Sequence, residues 1–196
     1  MVLHPLTIFV AALFTHNIVL TYLLGMCPFL AMSRQLGTAV GMGIAVTFVL
    51  VITGVINCLL LHLVLIPTGS EIMAYLVFII IIASVVQLLE MIIEKFFPRL
   101  QSSFGIFLPL ITVNCTVLAV SLFVALREYN FWQTLFFALG SGIGWTVAIS
   151  IVAAIREKVA LISDVPSGLR GAGITMVIVG ILALAFMGFS GMVNVQ

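Results

Sequence analysis

Two nine-residue stretches decide the fold: Ala39-Val-Gly-Met-Gly-Ile-Ala-Val-Thr47 and Ala138-Leu-Gly-Ser-Gly-Ile-Gly-Trp-Thr146. They share the pattern A-x-G-x-G-I-x-x-T and lie 99 residues apart, about half of the 196-residue chain. Small residues at such spacing let transmembrane helices approach closely, so chance similarity between two packing motifs is one explanation. The other is an internal duplication, which we favour because the motifs fall in the second and fifth of six apolar segments.

The composition around these motifs is that of a protein that resides in lipid. Hydrophobic residues make up 64% and charged residues 7% of the chain, against roughly 45–50% and about 25% in soluble domains. The formal net charge of +1 provides no basic field for nucleic acid. We therefore expect an integral membrane protein, and we exclude a disordered chain, a secreted disulfide scaffold and a nucleic-acid binder.

Each of the six apolar segments is long enough to cross the hydrocarbon core as a helix, which takes about 20 residues. They run over residues 5–32, 38–66, 72–93, 103–126, 131–155 and 172–192. Three spans separate the two motifs, so the halves would enter the membrane in opposite directions. We therefore expect a single all-α membrane domain over residues 1–196. It would consist of two inverted three-helix repeats, over about 1–99 and 100–196.

The cations predict the orientation of these spans. Loops two and four carry one cation, Arg127, whereas loops one, three and five carry Arg34, Lys95, Arg99, Arg156, Lys158 and Arg170. Cations favour the cytoplasmic side of short loops. Both termini are therefore predicted on the outer side.

Inverted repeats place their functional site where helices are interrupted by Gly or Pro. The first segment contains Gly25-Met-Cys-Pro28, and the fourth contains Pro109 followed by Thr112-Val-Asn-Cys115. Proline removes a backbone donor and disfavours helix at the preceding residue, so we expect a break at Cys27. Helices 1 and 4 are thus predicted to be interrupted near the midplane, each beside one cysteine.

The chemistry of Cys27 and Cys115 has two interpretations. Thiolates beside the unpaired backbone groups of a broken helix suit an anionic iron–sulfur centre. Two cysteines are half of the usual four ligands, so a cluster needs a second protein chain, and zinc meets the same shortage. The alternative is that both are inert core cysteines. Cys58 has no helix breaker nearby, and we expect it to fill the core, as we expect His16 and Asn17 to serve polar packing.

Seven strings together resemble one family, which comprises the E subunit of the Na+-translocating NADH:quinone reductase (Nqr) and the A subunit of the Rnf complex. The strings are LGMCPFLAMS (24–33), VVQLLEMIIEKFFP (85–98), GIFLPLITVNC (105–115), GSGIGW (140–145), IREK (155–158), DVPSGLRGAGIT (164–175) and LAFMGFSG (184–191). The resemblance covers nearly the whole chain.

This resemblance implies six spans in two inverted halves and a homologous partner of opposite orientation, the D subunit in Nqr or the E subunit in Rnf. Each partner gives two cysteines to a shared [2Fe–2S] cluster, and the matching positions here are Cys27 and Cys115. The implied cluster environment adds Gly25, Met26, Pro28, Thr112, Val113 and Asn114. As a hypothesis, Asn114 orients its loop by hydrogen bonding, although a helix–helix hydrogen bond is an equal alternative.

The resemblance also implies a place in a redox-driven translocase of the bacterial inner membrane. Other subunits, carrying flavins and iron–sulfur centres, hold the sites for NADH, quinone or ferredoxin, and this chain relays electrons across the bilayer. The strings ITVNC, GSGIGW and DVPSGLRG favour Nqr, whereas the proline of CPF and the short loop at 67–71 favour Rnf. We prefer Nqr.

Glu90 is the one acid well inside an apolar run and is a candidate for the ion path. It lies one turn from Glu94, so snorkelling or pairing with Lys95 or Arg99 is the alternative. A small inverted-repeat permease without a redox cofactor is the rival function, and a purely structural scaffold is the third.

Overall fold

The computed structural model describes residues 4–65, 74–96, 114–162 and 171–190, which are helical apart from short turns. No strand occurs within these ranges. The helices are α1 Pro5–Val10, α2 Ile18–Tyr22, α3 Met26–Met32, α4 Leu36–Leu60, α5 Ala74–Phe96, α6 Cys115–Leu126, α7 Phe131–Ile162 and α8 Ala172–Ser190. Two π-helical turns, Ala11–Thr15 and Leu61–Leu65, extend α1 and α4.

Within the described part of the chain, two helical stretches are long and apolar enough to cross a membrane. They are Leu36–Leu63, with a mean hydropathy of 2.6, and Phe131–Leu161, with a mean hydropathy of 1.9. At 1.5 Å per residue, each is longer than the roughly 30 Å of a hydrocarbon core. These stretches begin and end close to the second and fifth predicted spans, and they contain the two glycine motifs.

The first apolar segment is interrupted twice and forms three short helices. The first break lies at His16–Asn17, where Asn17 has extended backbone angles. The second lies at Leu23–Gly25, where φ is +54° at Leu23 and +80° at Gly25, so both residues adopt the left-handed conformation. Glycine adopts this conformation without steric cost, whereas leucine does so rarely.

The prediction of a break at Cys27 is wrong, because Cys27 is helical. Helix α3 begins at Met26, directly after Gly25. Pro28 therefore lies in the first turn, where its missing N–H has no intrahelical acceptor and costs nothing. The interruption that the sequence predicted is present, but the left-handed residues before α3 cause it rather than the proline.

The two glycine motifs pack against each other where α4 contacts α7. Thr47 Oγ1 lies 3.3 Å from Thr146 Oγ1. Each hydroxyl also donates to a glycine carbonyl one turn earlier, Thr47 to Gly43 at 2.7 Å and Thr146 to Gly142 at 2.8 Å. A Cβ at Gly43 would overlap Thr146, and a Cβ at Gly142 would lie 2.7 Å from Thr47 Cγ2. Equivalent residues of the two motifs thus make equivalent contacts.

Two other glycines of α7 let the broken first segment approach this helix. A Cβ at Gly140 would lie 2.7 Å from the backbone oxygen of Phe9, and one at Gly144 would lie 3.1 Å from Asn17 Nδ2. Asn17 Nδ2 donates to the Gly144 carbonyl at 2.9 Å. This contact is the polar packing expected of Asn17. Helix α7 therefore contacts α4 through one set of small residues and the first segment through another.

Candidate functional site

The structure places Cys27 and Cys115 at the starts of two helices. Cys27 is the second residue of α3 and Cys115 is the first residue of α6. Both are exposed on the surface of the chain. The interpretation of these two residues as core cysteines is therefore wrong for this chain taken alone. Exposed cysteines can be reached by a ligand or a partner from outside the chain.

Cys58, in contrast, is a core residue as predicted. Its side chain is 3% exposed. The Thr134 hydroxyl donates to Cys58 Sγ at 3.4 Å, and this sulfur lies 3.9 Å from the Tyr129 carbonyl oxygen. Cys58 thus joins α4 to α7 and to the turn that precedes it.

The two cysteine-bearing turns are in direct contact. The Thr116 hydroxyl donates to the Leu24 carbonyl at 3.4 Å. A Cβ at Gly25 would overlap this hydroxyl and would lie 2.9 Å from Asn114 Oδ1. Gly25 is two residues before Cys27, and Asn114 and Thr116 flank Cys115. The fold therefore brings together two sequence segments that lie about 90 residues apart.

Asn114 fixes the turn that carries Cys115. Its backbone is extended, and its Oδ1 accepts a hydrogen bond from the Thr116 N–H at 3.0 Å. Side-chain oxygens at this position satisfy one of the otherwise unpaired N–H groups of the first turn. Asn17 makes the matching bond at α2, where its Oδ1 accepts from the Val19 N–H at 3.2 Å. The capping role of Asn17 was missed from sequence, although Asn before an apolar run is a helix-start signal.

Trp145 lies directly behind the junction of the two turns. It is fully buried and packs edge-to-face on Phe29 of α3, with ring centroids 6.1 Å apart. Its Nε1 would lie 3.2 Å from a Cβ at Gly25. Gly25 is therefore required both by its positive φ and by the side chains that fill the space around it. Nothing in the sequence marks Trp145 for this role beyond its place at the end of GSGIGW.

Two charged residues of α7 hold the connection between the Cys27 helix and α4, Arg156 at the end of α3 and Glu157 at the start of α4. Arg156 Nη1 donates to Ser33 Oγ at 2.7 Å and to the Leu30 carbonyl at 3.3 Å, at the end of α3. Glu157 Oε1 accepts from the Leu36 N–H at 3.2 Å, at the start of α4. A cation at a helix C-terminus and an anion at an N-terminus both oppose the helix dipole favourably. From sequence, Arg156 served to predict orientation and, within IREK, to support the family resemblance, but no contact with α3 was predicted for it.

The remaining predicted site residues divide into two groups. Pro28 is buried and Met26 is partly buried against the core, next to Cys27. Thr112 and Val113 lie outside the described residues. Glu90 belongs to α5, but its side chain lies outside the described part of the structure, so the ion-path prediction stays a prediction.

The described residues do not complete a metal site on their own. No group of three or more His, Cys, Asp or Glu side chains that could hold a metal ion occurs among them. A metal centre that uses Cys27 and Cys115 would therefore need further ligands from outside the described residues. Two exposed thiols on adjoining turns are suited to a site at an interface with another protein.

Comparison with known proteins agrees with this architecture. Residues 5–193 match the family described as "Rnf-Nqr subunit, membrane protein". The chain belongs to the Rnf-Nqr family. It is also similar, over nearly its whole length, to three relatives that are each named as the E subunit of Na(+)-translocating NADH-quinone reductase.

The Rnf-Nqr relatives come from different bacteria. The protein of Pseudoalteromonas translucida (strain TAC 125) is 46% identical, over 96% of this chain and 98% of its own length. That of Alcanivorax borkumensis is 47% identical, over 96% and 97%. That of Photorhabdus laumondii is 48% identical, over 96% and 98%. The resemblance inferred from the seven strings is confirmed, and so is a membrane protein with α4 and α7 as apolar spans.

Proposed function

We propose that this chain is the E subunit of a Na+-translocating NADH:quinone reductase and that it relays electrons through a [2Fe–2S] cluster. The cluster is shared with a homologous, inverted D subunit, and each protein supplies two cysteines. One observation carries the proposal: Cys27 and Cys115 are exposed on two turns that contact each other. The names of the relatives support the Nqr branch, with an Rnf complex as the alternative.

The residues present fit such a cluster. Thiolates are the usual ligands of iron–sulfur clusters, and this chain offers two of the four that a [2Fe–2S] centre needs. A site that two proteins share requires ligands that are exposed on each separate chain. The ligands of a site within one chain would instead be buried. When bound, the cluster supplies a one-electron carrier between the two faces of the membrane.

The chain's own residues hold and shape this position. Gly25 lets the two turns approach, and Asn114 orders the turn of Cys115. Arg156 secures the far end of the Cys27 helix through the Leu30 carbonyl and Ser33. Because these contacts hold both cysteine-bearing segments in place before the cluster binds, the segments lose less conformational freedom on binding. This favours a defined cluster geometry.

The proposed topology has six spans in two inverted repeats, with both termini on the outer side of a bacterial inner membrane. The reciprocal contacts of Gly43 with Thr146 and of Gly142 with Thr47 support the duplication. The matching caps at Asn17 and Asn114 support it from a second place in each half. Catalytic sites for NADH and quinone, and the flavins, belong to other subunits of the complex.

The decisive experiment measures iron content and the reduced-state EPR spectrum of the purified complex. Wild type is compared with Cys27→Ser, Cys115→Ser and the matched control Cys58→Ser, whose thiol is buried away from the site. We expect either site substitution to remove the [2Fe–2S] signal and electron transfer to quinone, while Cys58→Ser retains both. If iron and activity survive both site substitutions, the relay is disproved and a permease or a scaffold becomes the function to pursue.

A further inference from the structure

Two buried hydrogen-bond donors lie behind the cysteine-bearing turns and have no acceptor among the described residues. They are Nε1 of Trp145 and Nδ2 of Asn114. The exposed fraction of Trp145 is 0% and that of Asn114 is 3%. Leaving a buried donor without a partner is unfavourable, because the donor loses its hydrogen bond to water and gains none in return. Such a pair in a folded chain therefore calls for a group that accepts hydrogen bonds or carries negative charge.

Both side chains that carry these donors lie beside the same residue, Gly25: Trp145 approaches it with the donor Nε1, and Asn114 approaches it with the acceptor Oδ1. Trp145 Nε1 and Asn114 Oδ1 would lie 3.2 and 2.9 Å from a Cβ at this glycine. Gly25 leads directly into the turn of Cys27, and Asn114 precedes Cys115 in the chain. The Trp145 N–H and the Asn114 side chain therefore lie close to the junction of the two turns that carry the proposed cluster ligands.

We propose that Trp145 and Asn114 set the reduction potential of the centre that Cys27 and Cys115 hold. This inference rests on the proposed function and extends it from the ligands to the residues behind them. Reduction adds one negative charge to the centre. N–H dipoles in surroundings of low dielectric stabilise that added charge, so they raise the reduction potential. Neither residue is a ligand; both act through the electrostatics of the site.

The test is a redox titration of the purified complex, followed by the [2Fe–2S] EPR signal, with Trp145→Phe beside wild type. Phenylalanine keeps a ring against Phe29 but removes the N–H. We expect iron content to be retained. The ratio of reduced to oxidised centre at the wild-type midpoint should fall about threefold, which is about 28 mV for a one-electron couple at about 59 mV per tenfold change.

Trp132→Phe is the matched control. Trp132 is the only other tryptophan of the chain, lies near the start of the same helix and is 64% exposed. The same substitution there should leave the midpoint potential unchanged. A difference in midpoint potential between the two variants would therefore show that the effect depends on where the N–H lies. It would not be a general effect of losing an indole.

Asn114→Asp provides a second, independent variant. Aspartate caps a helix as well as asparagine does, so the bond to the Thr116 N–H is kept. The donor N–H2 is replaced by a carboxylate oxygen, which removes the N–H dipole and adds a negative charge, so the midpoint potential should fall by more than in Trp145→Phe. An unchanged midpoint in Asn114→Asp overturns the inference even where Trp145→Phe fails to assemble.

The outcomes separate the inference from the function on which it rests. Unchanged midpoints in loaded Trp145→Phe and Asn114→Asp complexes overturn the inference alone. So does loss of the cluster from both variants while Trp132→Phe is loaded, because the two residues then hold the turns and do not tune the potential. A wild-type complex without a [2Fe–2S] signal, or a signal that survives both cysteine substitutions, overturns the proposed function as well.

Discussion

The contact between α4 and α7 and the junction between the Cys27 and Cys115 turns are built on different principles. At the helix contact, the same residues of two similar motifs meet, with Thr47 against Gly142 and Thr146 against Gly43. At the junction, unlike residues meet, with Gly25 against Thr116, Asn114 and Trp145. The first region is regular helix, and the second consists of helix ends and left-handed residues.

In the proposed duplication, this difference concerns how far the two halves have diverged. The glycine motifs keep an offset of 99 residues, and the capping residues Asn17 and Asn114 are 97 residues apart. The cysteines do not follow either offset, because Cys115 comes directly after its cap, whereas Cys27 follows a second break ten residues after Asn17. In the proposed duplication, the packing contacts stayed equivalent while the chain around the thiols was rebuilt in one half.

Substitution of Gly25 by alanine should break the junction and have the largest effect. The positive φ alone costs an L-residue about 1–2 kcal/mol. The added Cβ also overlaps the buried Thr116 hydroxyl, which cannot move without losing its bond to Leu24. We expect the complex to lose most of its iron, measured as iron per purified complex.

Gly37→Ala is the control for this substitution. A Cβ at Gly37, in the first turn of α4, meets nothing within 4 Å. Alanine there should be neutral or stabilise the helix by about 0.5–1 kcal/mol. Full iron content in Gly25→Ala would mean that the two turns do not need their close contact to hold the cluster.

Gly43→Ala and Gly142→Ala test the equivalence of the two motifs at the helix contact. Each added Cβ enters space that a threonine of the other motif fills, and overpacking of this kind costs about 1–3 kcal/mol. We expect both variants to lower the thermal midpoint of the complex by similar amounts while iron is retained. Gly180→Ala on α8, which meets nothing within 4 Å, should have no such effect.

A compensating substitution sharpens this prediction. Thr146→Ala removes the two atoms nearest to the Cβ of Gly43→Ala but keeps Thr146 Cβ, 2.8 Å away, so the double variant should recover part of the lost stability. Thr47→Ala should do the same for Gly142→Ala, whose Cβ would still lie 2.9 Å from Thr47 Cα. Clearly unequal losses, or no recovery in either double variant, would contradict a reciprocal contact.

The sequence was sufficient to predict the apolar spans α4 and α7, because hydropathy and repeated glycines are local signals. It also singled out Cys27 and Cys115, whose role as cluster ligands stays a prediction. It predicted the interruption of the first segment but misjudged its cause, since the effect of Pro28 depends on where the helix starts. The break at His16–Asn17 contains neither Gly nor Pro, and only its cap could have indicated it. The roles of Trp145 and Arg156 depend on contacts with residues more than 100 positions away, which no local pattern encodes.

Loosening the far end of the Cys27 helix should have the smallest effect of the substitutions considered. Arg156→Gln removes the charge that faces the end of α3 and weakens the bonds to Leu30 and Ser33. We expect a loss of about 1 kcal/mol in stability with the cluster retained, since hydrogen bonds to charged groups contribute modestly and the helix start is held separately.

Arg156→Lys should recover only part of this loss, because one ammonium group does not reproduce the planar donor set of a guanidinium. The exposed neighbour Lys158, changed to Gln, supplies the control for loss of one positive charge on the same turn of α7. The measurements are the thermal midpoint and iron per complex. Loss of iron in Arg156→Gln but not in Lys158→Gln would show that the cysteine turn depends on both ends of α3. The position of the Cys27 turn would then depend on the Arg156 contacts as well as on the contacts of Gly25 with Asn114 and Trp145.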